Sequence, residues 1–267
     1  MNVLSRWSMG FALSLFVVGN VAANDSVASL GAGGIVIGKT DVIAMEQEDL
    51  FVSTDKIRVS YVFRNTSDKA VETRVALPVP EFPENPDMDL GLDTHSTNPM
   101  GFSVKVEGKT KKFETEVKKK EGNVKITHHW MQTFPANQTL KVTHEYKPAI
   151  GGEAMLWFQE EERANKIKRY CIEPDLVRWI DKNNVPDKGK IVSPRYIDYI
   201  LTTGANWKGS IGKFRLTVQK NNPNEKLSVC GTGWKKRDAK TFVLEKTNFT
   251  PAQDLAVMLL SSYTFDQ

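Results

Sequence analysis

The chain contains little of the chemistry that most enzymes use. It has two cysteines and four histidines in 267 residues. No serine stands in a Gly-x-Ser-x-Gly elbow, and the cysteines are too far apart for a Cys-x-x-Cys motif. A Ser-His-acid triad stays open, because its members need not be neighbours in the sequence. No motif indicates a cofactor. Enzyme activity is therefore undecided, and the pattern favours a protein without it.

A strong excess of charge of one sign is also absent. The 36 Lys and Arg residues against 32 Asp and Glu give a net charge of +4. Glutamates are interleaved even in the lysine-rich stretch 107–121, as is typical of a solvated surface. We therefore expect no nucleic acid partner, and an envelope protein or a ligand is the expected partner.

Long apolar runs are lacking beyond the start of the chain. Arg6 is followed by an apolar run over Trp7–Val18 and by Val21-Ala-Ala23, the small residues that a signal peptidase reads. This order predicts a signal peptide at residues 1–23. An uncleaved anchor is the alternative, but a membrane span needs about 20 apolar residues. We expect an exported bacterial-type protein, periplasmic or secreted, whose mature chain has no transmembrane segment.

The two cysteines, Cys171 and Cys230, both lie in the expected mature chain. Outside the cytoplasm an even pair is most simply a disulfide bond. The alternative is a pair of buried thiols. In the chain-entropy model, closing a loop of this length stabilises the fold by about 4 kcal/mol at most.

Apolar residues recur mostly with a period of two, which indicates strands. Lys56–Asn65 and Val71–Leu77 flank a polar turn, and the sequence predicts that they form a hairpin. A second pair of strands is predicted at Val124–Phe134 and Thr139–Tyr146. A short helix is predicted at Pro174–Lys182, where proline occupies the first turn, and residues 160–168 form either a helix or a loop. The fold class is therefore mainly β, α+β at most.

The order of these segments predicts two antiparallel β-sandwich-like domains. An amino-terminal β domain covers residues 24–150, and a carboxy-terminal one covers residues 191–267. A short, partly helical connector over residues 151–190 joins them. Regularly spaced short strands separated by turn residues are typical of such sandwiches.

Three residues are candidates for a functional site. If the second hairpin closes symmetrically, His129 and His144 lie opposite each other, about 5 Å apart at Cβ, and could be two ligands of a zinc or copper ion. Histidines without a metal are the favoured alternative, since no third ligand is identifiable. Trp207 is either an exposed binding residue or, as we favour, a packing anchor.

Several segments together resemble the bacterial secreted family known as domain of unknown function 4424. They are Asn24-Asp-Ser26, Leu30-Gly-Ala-Gly-Gly34, Phe63-Arg-Asn-Thr-Ser67, Leu77-Pro-Val-Pro80, Tyr170-Cys171, Leu201-Thr-Thr-Gly-Ala-Asn-Trp-Lys-Gly209, Thr247-Asn-Phe-Thr-Pro251 and Asp254-Leu255. The resemblance implies an exported, mostly β protein with a cysteine pair matching Cys171 and Cys230. It implies no activity, substrate or catalytic residue.

A second, local similarity covers residue 56 to about residue 117. This segment resembles the amino-terminal domain of inter-alpha-trypsin inhibitor heavy chains. The likeness lies in the order of a strand, Phe-x-Asn, a second strand that ends in Leu-Pro-x-Pro, and a glycine turn. The leading hypothesis is therefore a non-enzymatic periplasmic or secreted interaction or binding module. The alternative is an envelope hydrolase or a metal-dependent enzyme that uses His129 and His144 or an unrecognised cleft.

Overall fold

The computed structural model describes residues 26–31, 34–38, 40–79, 81–84, 92–202 and 206–265, so the predicted signal peptide lies outside the described residues. The first nine strands are β1 (Ser26–Gly31), β2 (Gly34–Gly38), β3 (Ile43–Val52), β4 (Ile57–Asn65), β5 (Val71–Pro78), β6 (Phe82–Pro83), β7 (Ser103–Val106), β8 (Lys109–Thr110) and β9 (Glu114–Lys120). The next nine are β10 (Asn123–Phe134), β11 (Thr139–Tyr146), β12 (Gly151–Gly152), β13 (Lys190–Tyr199), β14 (Ile211–Gln219), β15 (Lys226–Val229), β16 (Lys235–Lys236), β17 (Thr241–Phe249) and β18 (Leu255–Thr264). Among the described residues the α-helices are α1 (Glu160–Tyr170) and α2 (Pro174–Asn183).

The strands form three sheets. Sheet A has the order β2-β1-β5-β10-β6, with β9 also paired to β10. Sheet B has the order β16-β17-β14-β3-β4-β11-β7-β8, and sheet C has the order β12-β13-β18-β15. Strands β14 and β3 pair in parallel, whereas the other pairs between these strands are antiparallel. The predicted mainly β fold class is confirmed.

Two hydrophobic cores lie on opposite faces of sheet C. Val257 and Leu259 of β18 belong to the large core, which also contains residues of sheets A and B. Met258 and Leu260, which alternate with them, belong to a smaller core that contains residues of both helices. Sheet C is therefore a middle layer, and the two helices cover its outer face.

Both predicted hairpins are wrong. Strands β4 and β5 do not pair: β4 lies in sheet B between β3 and β11, whereas β5 lies in sheet A between β1 and β10. Strands β10 and β11 are divided between the two sheets in the same way. Each connection therefore crosses from one sheet to the other. Strand alternation records only which residues face the core, and strands in two facing sheets share one core.

Asn65 joins the two connections that cross between the sheets. Its side-chain nitrogen donates hydrogen bonds to the carbonyl oxygens of Lys69 at 2.8 Å and of Phe134 at 2.9 Å. Its side-chain oxygen accepts a bond from the Ser67 amide at 2.9 Å. The Asn137 amide donates to the Ser67 carbonyl at 2.9 Å, so the two connections also bond directly.

The sheets extend across the predicted domain boundaries. Residues 213–218 of β14 pair with residues 47–52 of β3, so segments from both predicted β domains share sheet B. The large core likewise contains residues from both segments, such as Leu50 and Leu216. The boundaries at 150 and 190 stay predictions, although the partly helical connector does contain α1 and α2.

The predicted helix at Pro174–Lys182 is confirmed as α2, and residues 160–168 form most of α1. Proline occupies the first turn of α2, where its missing amide proton costs no helical hydrogen bond. Within the described ranges, neither helix has the length and hydropathy needed to cross a bilayer.

Candidate functional site

A cleft of about 740 Å³ opens between α1 and the outer face of sheet C. Helix α1 contributes one wall, and the start of β18 with the residues before it contributes the other. Glu153, Tyr196 and Asp198 also line the cleft, the last two from β13. Its volume is within the range of ligand sites in proteins.

Helix α1 presents a charged face to the cleft. Glu162, Lys166 and Arg169 are four and then three positions apart, which places them on one side of a helix. Acidic residues fill the first turn and basic residues the last, as the helix dipole favours. Cys171 caps the carboxyl end of the helix and adopts a left-handed conformation with φ 53°.

Lys166 and Glu153 form a partly buried ion pair at the cleft, with Nζ and Oε1 separated by 3.0 Å. The side chains are 13% and 28% exposed. The hydroxyl of Tyr196 donates to Glu153 Oε1 at 2.7 Å, and the Trp157 amide donates to Oε2 at 2.7 Å. Burial by itself raises the pKa of Glu153, but these hydrogen bonds and Lys166 outweigh it and lower the pKa. Glu153 is therefore ionised at neutral pH.

Two tyrosines stack at the cleft. The rings of Tyr170 and Tyr196 lie 5.2 Å apart at 18°. Burial raises the pKa of Tyr170 to about 12, and burial followed by the Glu153 hydrogen bond raises the pKa of Tyr196. Both hydroxyls therefore stay protonated at physiological pH. Arg169 lies over the Tyr170 ring at 5.6 Å and pairs with Asp198 at 2.9 Å.

Asp254 holds the opposite wall in place. Its Oδ1 atom accepts hydrogen bonds from the amides of Leu201 at 3.0 Å and Thr202 at 2.9 Å, and from the Thr202 hydroxyl at 2.7 Å. The segment before β18 is therefore attached to the segment that follows β13. Because Asp254 and Leu255 line the cleft, this attachment fixes part of the wall.

The lining of the cleft is rich in charged and hydrogen-bonding side chains. It contains three cations and four carboxylates, together with Asn165 and Gln253. No histidine, cysteine or serine lines the described part of the cleft. These residues can hold charges and donate or accept hydrogen bonds.

The structure separates the histidine pair. His129 lies on β10 in sheet A, and its Nδ1 atom is 4.0 Å from Glu114 Oε2. His144 lies on β11 in sheet B, where its ring contacts Phe102 at 5.2 Å and Trp130 at 5.3 Å. The predicted hairpin register, which placed His129 opposite His144, is therefore wrong. Among the described residues, no three His, Cys, Asp or Glu side chains lie together as metal ligands could.

The sequence also singled out Trp207 and the two cysteines. Trp207 lies in the large core with 3% exposure, and its ring is 4.4 Å from that of Phe63. A partner therefore cannot reach it without local opening of the core. Cys171 and Cys230 form the expected disulfide bond, which attaches the end of α1 to the end of β15.

The sequence alone did not reveal the cleft. Its residues come from four segments, and none of them forms a recognisable motif. The sequence contained one indication of its place, because three of the segments that carry the family resemblance meet at the cleft. They are Tyr170-Cys171, the described start of the Leu201–Gly209 block and Asp254-Leu255.

The model of one protein family matches nearly the whole chain. This family is "Domain of unknown function (DUF4424)", and the matches cover residues 23–128 and 118–258. The chain belongs to the DUF4424 family. The resemblance of the sequence segments is thereby confirmed, whereas the local likeness to inter-alpha-trypsin inhibitor heavy chains stays a prediction. No curated protein matches this DUF4424 chain by sequence.

The fold of this DUF4424 chain is similar to that of solved structures. One of them is a candidate nutrient-binding protein from Legionella pneumophila, 18% identical, with a TM-score of 0.51 over 88% of this chain and 72% of that chain. Leukotriene A4 hydrolase from Saccharomyces cerevisiae is 11% identical, with a TM-score of 0.41 over 82% of this chain and 29% of that chain. The M1 zinc metallopeptidase from Deinococcus radiodurans has a TM-score of 0.30 at 11% identity, over 83% of this chain and 43% of that one. The two lower scores carry no argument about function.

Proposed function

We propose that the protein is an exported binding protein, periplasmic or secreted, that holds a small polar ligand in the α1 cleft. The observation that carries the proposal is the cleft lining, in which ionised side chains and two protonated tyrosines converge on a volume suited to a small molecule. A disulfide bond supports the exported location, because such bonds persist in oxidising compartments. The nutrient-binding description of the Legionella structure agrees with this function.

The proposal is tested by filling the cleft with a side chain. Asn165 is an exposed residue of α1 that lines the cleft, so Asn165→Trp should occupy the ligand volume without disturbing a core. The neighbouring Ala164 is also exposed on α1 but does not line the cleft, which makes Ala164→Trp a matched control.

Wild type and both variants are screened by isothermal titration calorimetry against amino acids, short peptides, sugars, organic acids and polyamines. We expect at least one solute to bind wild type and Ala164→Trp equally, and to bind Asn165→Trp at least about tenfold more weakly. The proposal is wrong if no solute binds, or if Asn165→Trp leaves the affinity for the bound solute unchanged.

The enzyme alternative receives no specific support. Its candidate residues, His129 and His144, lie in different sheets, and the ring of His144 packs among core aromatics. The binding function therefore remains the single proposal for this chain.

A further inference from the structure

Most charges of the α1 cleft are already neutralised within the protein. Lys166 Nζ lies 3.0 Å from Glu153 and 3.7 Å from Glu162. Arg169 pairs with Asp198 at 2.9 Å. A ligand charge directed at Lys166, Glu153, Arg169 or Asp198 would have to compete with the partner that is already there. Separating partly buried partners is costly, because it leaves one charge without compensation.

Two charges of opposite sign are left over. Among the described residues, Lys168 has no ion-pair partner, and Asp254 uses only its Oδ1 atom in hydrogen bonds. Lys168 belongs to the α1 wall, and Asp254 belongs to the opposite wall. The Lys168 ammonium and the Asp254 carboxylate are therefore available to pair with a ligand, and they lie on opposite walls of the cleft.

Other parts of the cleft lining are less polar. The stacked rings of Tyr170 and Tyr196, together with Leu255 and Ala256, contribute apolar surface to the cleft. Asn165 and Gln253 add side-chain amides that can donate or accept hydrogen bonds. Such a lining suits a short middle section with amide groups and small apolar substituents.

We infer that the α1 cleft binds a small zwitterion, an amino acid or short peptide with a charged amino and a charged carboxyl end. Its carboxylate pairs with Lys168 and its ammonium group with Asp254. This ligand satisfies both remaining charges and leaves the internal ion pairs intact. The inference rests on the proposed function, because it names the ligand class for the same cleft.

The test uses L-alanine, L-alanyl-L-alanine and tri-L-alanine as probes, since they place the same two charges at increasing separations. Titration calorimetry of the full mature chain should find one length that binds best. Acetylation of its amino end, or amidation of its carboxyl end, should each weaken binding at least about tenfold.

Two variants assign each charge to its residue. Asp254→Asn keeps an oxygen for the amides of residues 201 and 202 but removes the charge, so it should weaken the zwitterion about tenfold and hardly affect the acetylated probe. Lys168→Met should likewise weaken binding of the zwitterion about tenfold and hardly affect binding of the amidated probe. Lys182→Met, at an exposed position of α2, is the matched control and should have no effect.

The outcomes separate this inference from the proposed function. If a sugar or an organic acid binds and Asn165→Trp abolishes that binding, the cleft is a binding site but the zwitterion inference is wrong. Equal binding of the capped and uncapped probes likewise overturns the inference alone. If the zwitterion binds but Asn165→Trp has no effect, its site lies elsewhere and both proposals are wrong.

Discussion

The side chain of His128 lies between sheets A and B. Its ring stacks on Phe102 at 5.3 Å and contacts Phe113 edge-on at 4.9 Å. The residue has 0% exposure, and its Nδ1 atom is 2.9 Å from the Thr115 hydroxyl. Burial, with a smaller contribution from His129, lowers the pKa of His128 from 6.5 to about 4. The ring is therefore neutral at physiological pH.

This pKa makes stability depend on pH with a definite sign. Because the folded pKa lies below the unfolded value of 6.5, the unfolded chain binds the proton first as the pH falls. The free energy of unfolding should therefore decrease between pH 6.5 and about 4, by about 3 kcal/mol from this group. His128→Phe keeps the stacking and should remove that contribution, as urea unfolding at a series of pH values would measure.

Thr115→Val is the control for this prediction. It removes the hydrogen bond to His128 but leaves the ring buried, and burial is the main cause of the lowered pKa. The variant should therefore keep the pH dependence of wild type. An unchanged slope in His128→Phe would contradict the assignment to this residue.

At the scale of elements, the two connections that cross between sheets A and B depend on Asn65. Its side chain satisfies two carbonyl oxygens and one amide, and the residue has 0% exposure. Asn65→Ala removes these hydrogen bonds, including the buried one to the Phe134 carbonyl, and should lower the free energy of unfolding by about 2–4 kcal/mol. Urea denaturation measures this loss directly.

Asp68 provides the comparison, because it lies in the same connection and is exposed. Asp68→Ala should change the free energy of unfolding by less than about 0.5 kcal/mol. Equal effects of Asn65→Ala and Asp68→Ala would show that the connection is generally sensitive, and that the Asn65 network is not the cause.

At the scale of the whole molecule, the disulfide bond attaches the helical layer to sheet C. Cys171 follows α1, and Cys230 follows β15. Replacing both cysteines with serine frees a loop of 59 positions in the unfolded chain. The free energy of unfolding should fall by about 4 kcal/mol at most in the chain-entropy model.

The same double variant should also affect the α1 cleft, because Arg169 and Tyr170 directly precede Cys171. We expect weaker binding of any cleft ligand, with little change in the far-ultraviolet circular dichroism of the sheets. Wild type treated with a reducing agent should reproduce both effects. Unchanged stability after reduction would show that the bond does not constrain the fold.

The sequence by itself determined the local features of the protein. Alternation marked β4, β5, β10 and β11, since a strand exposes successive side chains to opposite faces. A proline in the first turn with apolar residues at helical spacing marked α2. The cysteine pair indicated the disulfide bond, because only one pairing of two cysteines exists.

Only the tertiary structure decided which strands pair and where the ligand cleft lies. An alternating strand has the same pattern whether its partner is the next strand or a distant one, so the crossing between sheets A and B left no local signal. The cleft combines Glu153, Lys166, Tyr196 and Asp254, and the first and last of these are 101 positions apart in sequence. Their charges look like ordinary surface charges until α1 packs against sheet C, because burial and pairing arise only from that contact.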